Sequence, residues 1–305
     1  MFRTLLIALG AAALVLLLLL GAAAHWQERI VWQPPRVLLP DPVGWDGLRR
    51  VAYAAADGQR LVGYLVVPSD GDGEAAATWE EGSGHVLVVF HGNAETAPMR
   101  LDWARRLADE TGWGVFLAEY RGYAGLEGRP TYEGSQLDAR AAYSWVRDSL
   151  GVPPGQIGIF GFSLGTAVAT ELASEVEPPV LVLQAPFTSV RDMARAGAVW
   201  PLSRLWPLVE RVHFDTRTRV AALDAPVWVI HGGRDRIVPT WMGRAVHDAA
   251  RRQGRYVEVP RAGHNDLPEV GGRVYWTWLT AALASATAAG SPAPSAGRRG
   301  GRGGG

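Results

Sequence analysis

Three segments of the chain hold residue types that, brought together, could transfer an acyl group to water. The first is Gly161-Phe162-Ser163-Leu164-Gly165, a G-x-S-x-G pattern with the apolar run Ile157 to Phe160 before it and the apolar stretch Leu164 to Ala173 after it. A serine at so tight a strand-to-helix turn takes strained backbone angles, and the residues two positions away must lack side chains to avoid collision. The hydroxyl is then lifted above the sheet edge. The N–H of Leu164, in the first turn of the following helix, points where an oxyanion would form.

A serine hydroxyl is a poor nucleophile until a base takes its proton. The chain has seven histidines. His25 adjoins an apolar N-terminal run, His85 opens a strand, and His91 and His231 stand at strand ends beside Gly. His213 falls in a candidate lid and His247 within a helix. His264 lies in Arg261-Ala-Gly-His-Asn265, a Gly-containing loop after the strand ending near Val259, and it follows the serine in sequence. It is the candidate base.

The acid must hold the imidazole tautomer and stabilise the imidazolium. The strand Val227 to Ile230 runs into His231-Gly-Gly-Arg-Asp235, which puts Asp235 in a strand-end loop between serine and histidine. Asp266 and Asp192 are the rivals. Asp266 is two residues from His264, too near to approach the far ring nitrogen comfortably, and Asp192 lies well beyond its strand end. The second oxyanion donor is expected from His91-Gly92-Asn93-Ala94, where Gly92 permits a tight backbone and the N–H of Asn93 can face the site.

The elements that must position these loops follow from pattern. Val51 to Ala54 and Leu61 to Val67 read as a hairpin turning at Asp57-Gly58. Short apolar runs at His85 to Phe90, Gly114 to Ala118, Ile157 to Phe160, Val180 to Leu183, Val227 to Ile230 and Tyr256 to Val259 read as strands covered on both faces. They alternate with helical patterns: Leu101 to Ala108, a face made by Leu137, Ala141, Ala142, Trp145 and Val146, then Leu164 to Ala173, Trp241 to Arg251 and Val274 to Leu283. The expected architecture is α/β: a mostly parallel sheet with an antiparallel N-terminal edge and helices on both faces. In such a sheet ligands sit at the carboxyl ends of the strands, where all the candidate residues fall. One stretch breaks the alternation. Residues 187–223, with Trp200, Leu202, Leu205, Trp206, Leu208 and Val209, read as a short lid, an ordinary crossover helix being the other reading.

Leu5 to Ala24 is an unbroken run of twenty apolar or small residues. As a helix it would extend roughly 30 Å, the hydrocarbon thickness of a bilayer. A removed signal peptide ending at Ala22 to Ala24 is the competing reading, but signal cores usually run about 7 to 15 residues. Residues 1–28 are therefore expected to be a single-pass anchor, 29–285 the folded domain, and the Ala/Gly/Pro/Arg-rich 286–305 a disordered tail. Arg3 favours an N-terminus in the cytoplasm and a domain outside. The 305 residues carry 30 Lys+Arg, every one of them Arg, and 30 Asp+Glu, so nothing in the charge points to nucleic acid. With no Cys, thiol catalysis, Cys-ligated zinc and disulfides are excluded.

Together, Phe90-His-Gly-Asn-Ala94, Glu119-Tyr-Arg-Gly-Tyr123, Gly161-Phe-Ser-Leu-Gly165, His231-Gly-Gly-Arg-Asp235 and Gly263-His264 resemble the α/β-hydrolase superfamily. The similarity is nearest to its membrane-associated branch of BEM46-like, ABHD13- and ABHD17-type serine hydrolases, over about Ile30 to Leu283. The resemblance implies a Ser163–Asp235–His264 triad and oxyanion donors at Asn93 and Leu164, with no cofactor or metal. The segment Ala124-Gly125-Leu126-Glu127-Gly128-Arg129-Pro130 departs from the branch pattern at Ala124 and Leu126, which bears on substrate more than on catalysis. Arg121 is expected to make structural contacts. The expected reaction is hydrolysis of an ester or thioester, small or lipid-derived. A peptidase of the same fold and a catalytically idle binding protein are the alternatives.

Overall fold

The computed structural model describes residues 2–35, 47–69, 82, 84–197 and 210–290. Helix α1 (Phe2–Val31) leads into a hairpin of β1 (Leu48–Ala54) and β2 (Arg60–Val66). The alternating part follows: β3 (Val86–Phe90), α2 (Leu101–Thr111), β4 (Gly114–Ala118), α3 (Tyr132–Ser144), β5 (Ile157–Phe162), α4 (Leu164–Val176) and β6 (Leu181–Gln184). After two short helices, α5 (Val190–Ala196) and α6 (Thr216–Val220), come β7 (Val227–Gly232), α7 (Thr240–Ala249), β8 (Gln253–Val259), α8 (Leu267–Gly271) and α9 (Arg273–Gly290).

The strands form one eight-stranded sheet in the order β1-β2-β4-β3-β5-β6-β7-β8. β1 pairs with β2 and β2 with β4 antiparallel, and every other pairing is parallel. The fold class is the expected one. β3, β4, β5 and β6 are buried at every position, whereas β1 at one edge is half-buried and exposed by turns, and β8 at the other is largely open. The expectation that Tyr256 to Val259 is covered on both faces fails because, among the described residues, no strand lies beyond it. Successive side chains of a strand point to opposite faces. Val86, Val88 and Phe90 accordingly join a core with Val146, Val168, Leu172 and Met242, from the α3–α4–α7 side. Leu87 and Val89 join a second core with Leu107, Trp278 and Leu279 of α2 and α9. Two cores, one on each face, keep the sheet stiff and leave only its ends free for chemistry.

Two other features differ from the sequence reading. α3 begins at Tyr132 and buries Ser135, Asp138, Ala139, Ala142 and Tyr143, so its inward face is turned relative to the apolar stripe and includes a carboxylate. The reason is Arg121, whose guanidinium and backbone N–H both donate to Asp138 at 2.7–2.9 Å. Arg121 also reaches Asp57 in the hairpin turn at 2.7 Å and so ties β4, α3 and the β1–β2 edge together. Finally, α9 runs past the expected end of the domain to Gly290, with Ala286 buried. Residues 291–305 of the expected tail, and 198–209 with the six apolar residues named for the expected lid, lie outside the described residues, whereas Phe187, Val212, Phe214 and Leu223 at the two ends of that stretch are buried in the core.

Candidate active site

Ser163 stands between the last residue of β5 and the first of α4 with φ 52° and ψ −119°, a strained conformation for a residue with a Cβ. What holds it there is the sheet: its N–H donates to the carbonyl of Gln184 on β6 at 2.9 Å. A Cβ at Gly161 would run into the carbonyl of Gly165, and one at Gly165 into the carbonyl of Phe90. Both glycines are therefore demanded by close backbone approach. As the first residue of α4, Leu164 has an N–H with no intrahelical acceptor, at the positive end of the helix dipole.

His264 lies in the loop after β8 and is nearly buried. Its Nε2 is 2.8 Å from the Ser163 Oγ and its Nδ1 is 2.6 Å from Asp235 Oδ2. A carboxylate only accepts, so Nδ1 carries the proton and the Nε2 lone pair receives the serine hydroxyl. Asp235, in the loop after β7, also accepts the N–H groups of Ile237 and Val238 at 2.8 Å each, and His231 Nε2 is 3.2 Å from its Oδ2. Burial of this carboxyl works to raise its pKa. The hydrogen bonds from His231 and His264 outweigh it and hold the group well below the usual carboxylate range. The two loops are joined by Gly233 N–H to Val259 O and Arg234 N–H to Ala262 O, both 2.8 Å, which fixes the carboxylate relative to the imidazole.

The rival acids are engaged elsewhere. Asp266 accepts the Gly263 N–H at 2.6 Å and so braces the His264 loop, and Asp192 accepts the Thr188 hydroxyl at 2.8 Å in the first turn of α5. The loop after β3 rests on a second imidazole–carboxylate pair. His91 Nε2 is 2.7 Å from Glu119 Oε1 and its Nδ1 is 2.8 Å from the Gly92 carbonyl. Glu119 also accepts the N–H groups of Tyr120 and Ala97. The Gly92 N–H donates to Glu95 at 2.9 Å, Glu95 pairs with Arg100 at 2.8 Å, and the Arg100 guanidinium lies 4.5 Å from the ring centre of Phe162, next to Ser163. Burial works against a charged His91. The Glu119 carboxylate, its hydrogen bond and Glu95 outweigh it and raise the pKa of the ring. Asn93 has its side chain turned away into a set of hydrogen bonds: Gln33 N–H and Tyr123 O–H donate to its Oδ1 at 2.8 Å each, and its Nδ2 donates to the Val31 carbonyl at 2.6 Å.

Sequence reasoning missed Glu119, Glu95 and the partners of Asn93. Glu119 carried a signal, an acid placed directly after five apolar or small strand residues. The contacts at Val31 and Gln33 carried none.

Residues 85–205 match the alpha/beta hydrolase fold family. The chain belongs to the α/β-hydrolase superfamily. Over 276 residues it is 38% identical to the uncharacterized protein MT2364 of Mycobacterium tuberculosis, covering 88% of this chain and 92% of that one. It is 32% identical to the alpha/beta hydrolase domain-containing protein WAV2 of Arabidopsis thaliana over 239 residues, 73% and 74% of the two chains. Among solved structures, the Pyrococcus furiosus esterase Pf2001 superposes with a TM-score of 0.62 at 19% identity, over 84% of this chain and 98% of that one, a likeness of fold.

Proposed function

We propose that this protein is a membrane-anchored serine hydrolase that cleaves a carboxylic ester or thioester through an acyl-enzyme. Ser163 is the nucleophile, His264 the general base and then acid, and Asp235 the group that orients and stabilises the imidazolium. The single observation that carries this reading is the hydrogen-bonded chain from Ser163 Oγ through both nitrogens of His264 to Asp235, at 2.8 and 2.6 Å.

The Ser163 oxygen attacks the carbonyl carbon as its proton passes to His264 Nε2. The carbonyl π electrons move onto oxygen, and the N–H groups of Asn93 and Leu164 stabilise the oxyanion. Collapse of that intermediate expels the alkoxide or thiolate, which takes the proton from His264. Water, deprotonated by the same ring, attacks the acyl-enzyme, and the carboxylic acid leaves with Ser163 restored. Preorganised amides account for a large part of such catalysis, because they need no reorientation as the charge develops.

The membrane part rests on α1. Phe2–Ala22 has a mean hydropathy of 2.8 and is not buried against the other described residues, which suits a membrane span. With Arg3 at its start, the domain lies outside the cytoplasm. The anchor favours an acyl-chain or lipid-derived ester as substrate.

The test is fluorophosphonate labelling of the full chain in detergent, followed by rates on p-nitrophenyl esters from acetyl to palmitoyl. Labelling is expected at Ser163 and absent in Ser163→Ala, with turnover rising from short toward medium or long chains. An unlabelled wild-type protein, or strict preference for acetyl, overturns the mechanism or the substrate class respectively.

A further inference from the structure

The last turn of α1 and the residues after it do not stand apart from the hydrolase domain. Gln27 is buried, and its Oε1 accepts the N–H groups of Arg211 and Val212 at 2.6 and 2.8 Å. Glu28 lies 3.7 Å from Arg129. Trp32 is buried among Tyr120, Tyr123 and Phe214, with ring centres 5.7, 6.5 and 6.2 Å away. Val31 and Gln33 then bond the two ends of the Asn93 amide side chain. Burial raises the pKa of the Tyr123 phenol and keeps it a donor to the same Asn93 oxygen.

We propose that residues 27–33 are a strut of the catalytic site, holding the loop that carries the Asn93 amide and seating the rim of that site on the bilayer. The proposal rests on the serine-hydrolase reading above and deepens it. An oxyanion donor works only if it is fixed before the charge appears, and a shift of about 1 Å can cost roughly a hundredfold in rate. The loop it sits in is itself under tension, since Ala94, the next residue, has φ 55°. Such a conformation persists only where surrounding contacts over-determine it. Four hydrogen bonds to the Asn93 side chain do that: one comes from the Ala94 N–H itself, one from Tyr123, and two from the chain leaving α1. The side chain of Asn93 is thus a positioning group for its own backbone.

The same geometry sets distance from the membrane. The apolar span ends at Ala22, and Val31 lies nine residues further along the continuous helix. At about 1.5 Å per residue, the Asn93 loop stands at most about 14 Å beyond the hydrocarbon, and less if α1 tilts. A headgroup layer is about 5 to 8 Å thick. The rim therefore lies no more than about 6 to 9 Å beyond the headgroups, and closer if α1 tilts, and the substrate class that fits is a membrane-resident amphiphile with an ester or thioester near its polar end.

The experiment uses the full chain in detergent with a short soluble ester, and then in phosphatidylcholine vesicles carrying a long-chain ester. Asn93→Ala is expected to lower kcat by roughly 10- to 100-fold with KM within about twofold, because the lost stabilisation belongs to the transition state. Gln33→Pro removes one N–H donor to the Asn93 side chain while leaving Ser163, His264, Asp235 and Asn93 itself in place, and is expected to lower kcat by about 3- to 10-fold. Combined with Asn93→Ala it is expected to add nothing. A kcat within twofold of wild type for Asn93→Ala, or multiplicative effects in the double variant, overturns the strut. A Gly/Ser insertion of a dozen residues between Ala22 and Ala23 lifts the rim while sparing the strut. It is expected to cut the vesicle-ester rate by about tenfold and leave the soluble-ester rate unchanged. Equal rates on both substrates overturn the seating on the bilayer. If the wild-type protein hydrolyses no ester and takes no fluorophosphonate, the fault lies with the hydrolase reading itself.

Discussion

His264 and His91 both lie in loops at the carboxyl ends of strands, and each bonds a carboxylate, Asp235 at 2.6 Å and Glu119 at 2.7 Å. The difference is at the second ring nitrogen. That of His264 faces the Ser163 hydroxyl, a group that can give up a proton. That of His91 faces the Gly92 carbonyl, which only accepts. With an acceptor facing each of its nitrogens, the enclosed His91 ring is best satisfied as an imidazolium, which leaves no lone pair for a substrate. In the proposed mechanism the same two chemical groups make a base in one loop and a rigid brace in the other. What separates them is the partner across the ring, not the presence of an acid.

The comparison breaks most sharply if the two pairs can be exchanged in effect. Replacing His264 with Ala is expected to lower kcat by about 10⁶-fold while leaving the chemical-denaturation midpoint close to wild type. A fall of less than about a hundredfold would place the base elsewhere. Asp235→Asn keeps the shape but lets the ring take the wrong tautomer, and about 10⁴-fold of kcat should go. Steady-state rates on one soluble ester measure both.

Glu119→Gln should act on the other axis. It leaves an imidazolium buried without its counter-charge, and removing one member of a buried pair costs about 3–5 kcal/mol of stability. Urea denaturation reads this directly, and an unchanged midpoint would show that the pair is not ionised. The smallest effect is on pH dependence. The His91 pKa is raised above the ordinary value of 6.5, so its contribution to stability is full below that value and fades as pH rises through the folded-state pKa. Asp235 works in the opposite sense, its contribution present above 3.8 and lost as pH falls below it. Compared with His91→Gln, the wild-type midpoint should decline more on the alkaline side, and parallel curves would remove His91 from the account.

Much of this was legible from residue order because its constraints are local. The turn at Ser163 needs residues without side chains at Gly161 and Gly165, and those two positions announce it. Asp235 follows β7, which is buried at nearly every position, and His264 follows the parallel edge strand β8, so both loops emerge at the same end of the sheet. The inward face of α3 was misread because apolarity alone suggested Leu137 and Ala141, while the helix buries Asp138 to receive an arginine seventeen residues earlier.

By itself the sequence determined the strands, the burial of the central ones on both faces, and the order serine, aspartate, histidine along the chain, because hydrophobic period and steric exclusion act over a few residues. Only the tertiary structure decided which carboxylate meets which imidazole, and that the end of the apolar helix bonds a loop sixty residues away. A hydrogen bond needs its partners within about 3 Å, and no residue carries a local mark of what will stand opposite it once the strands are ordered.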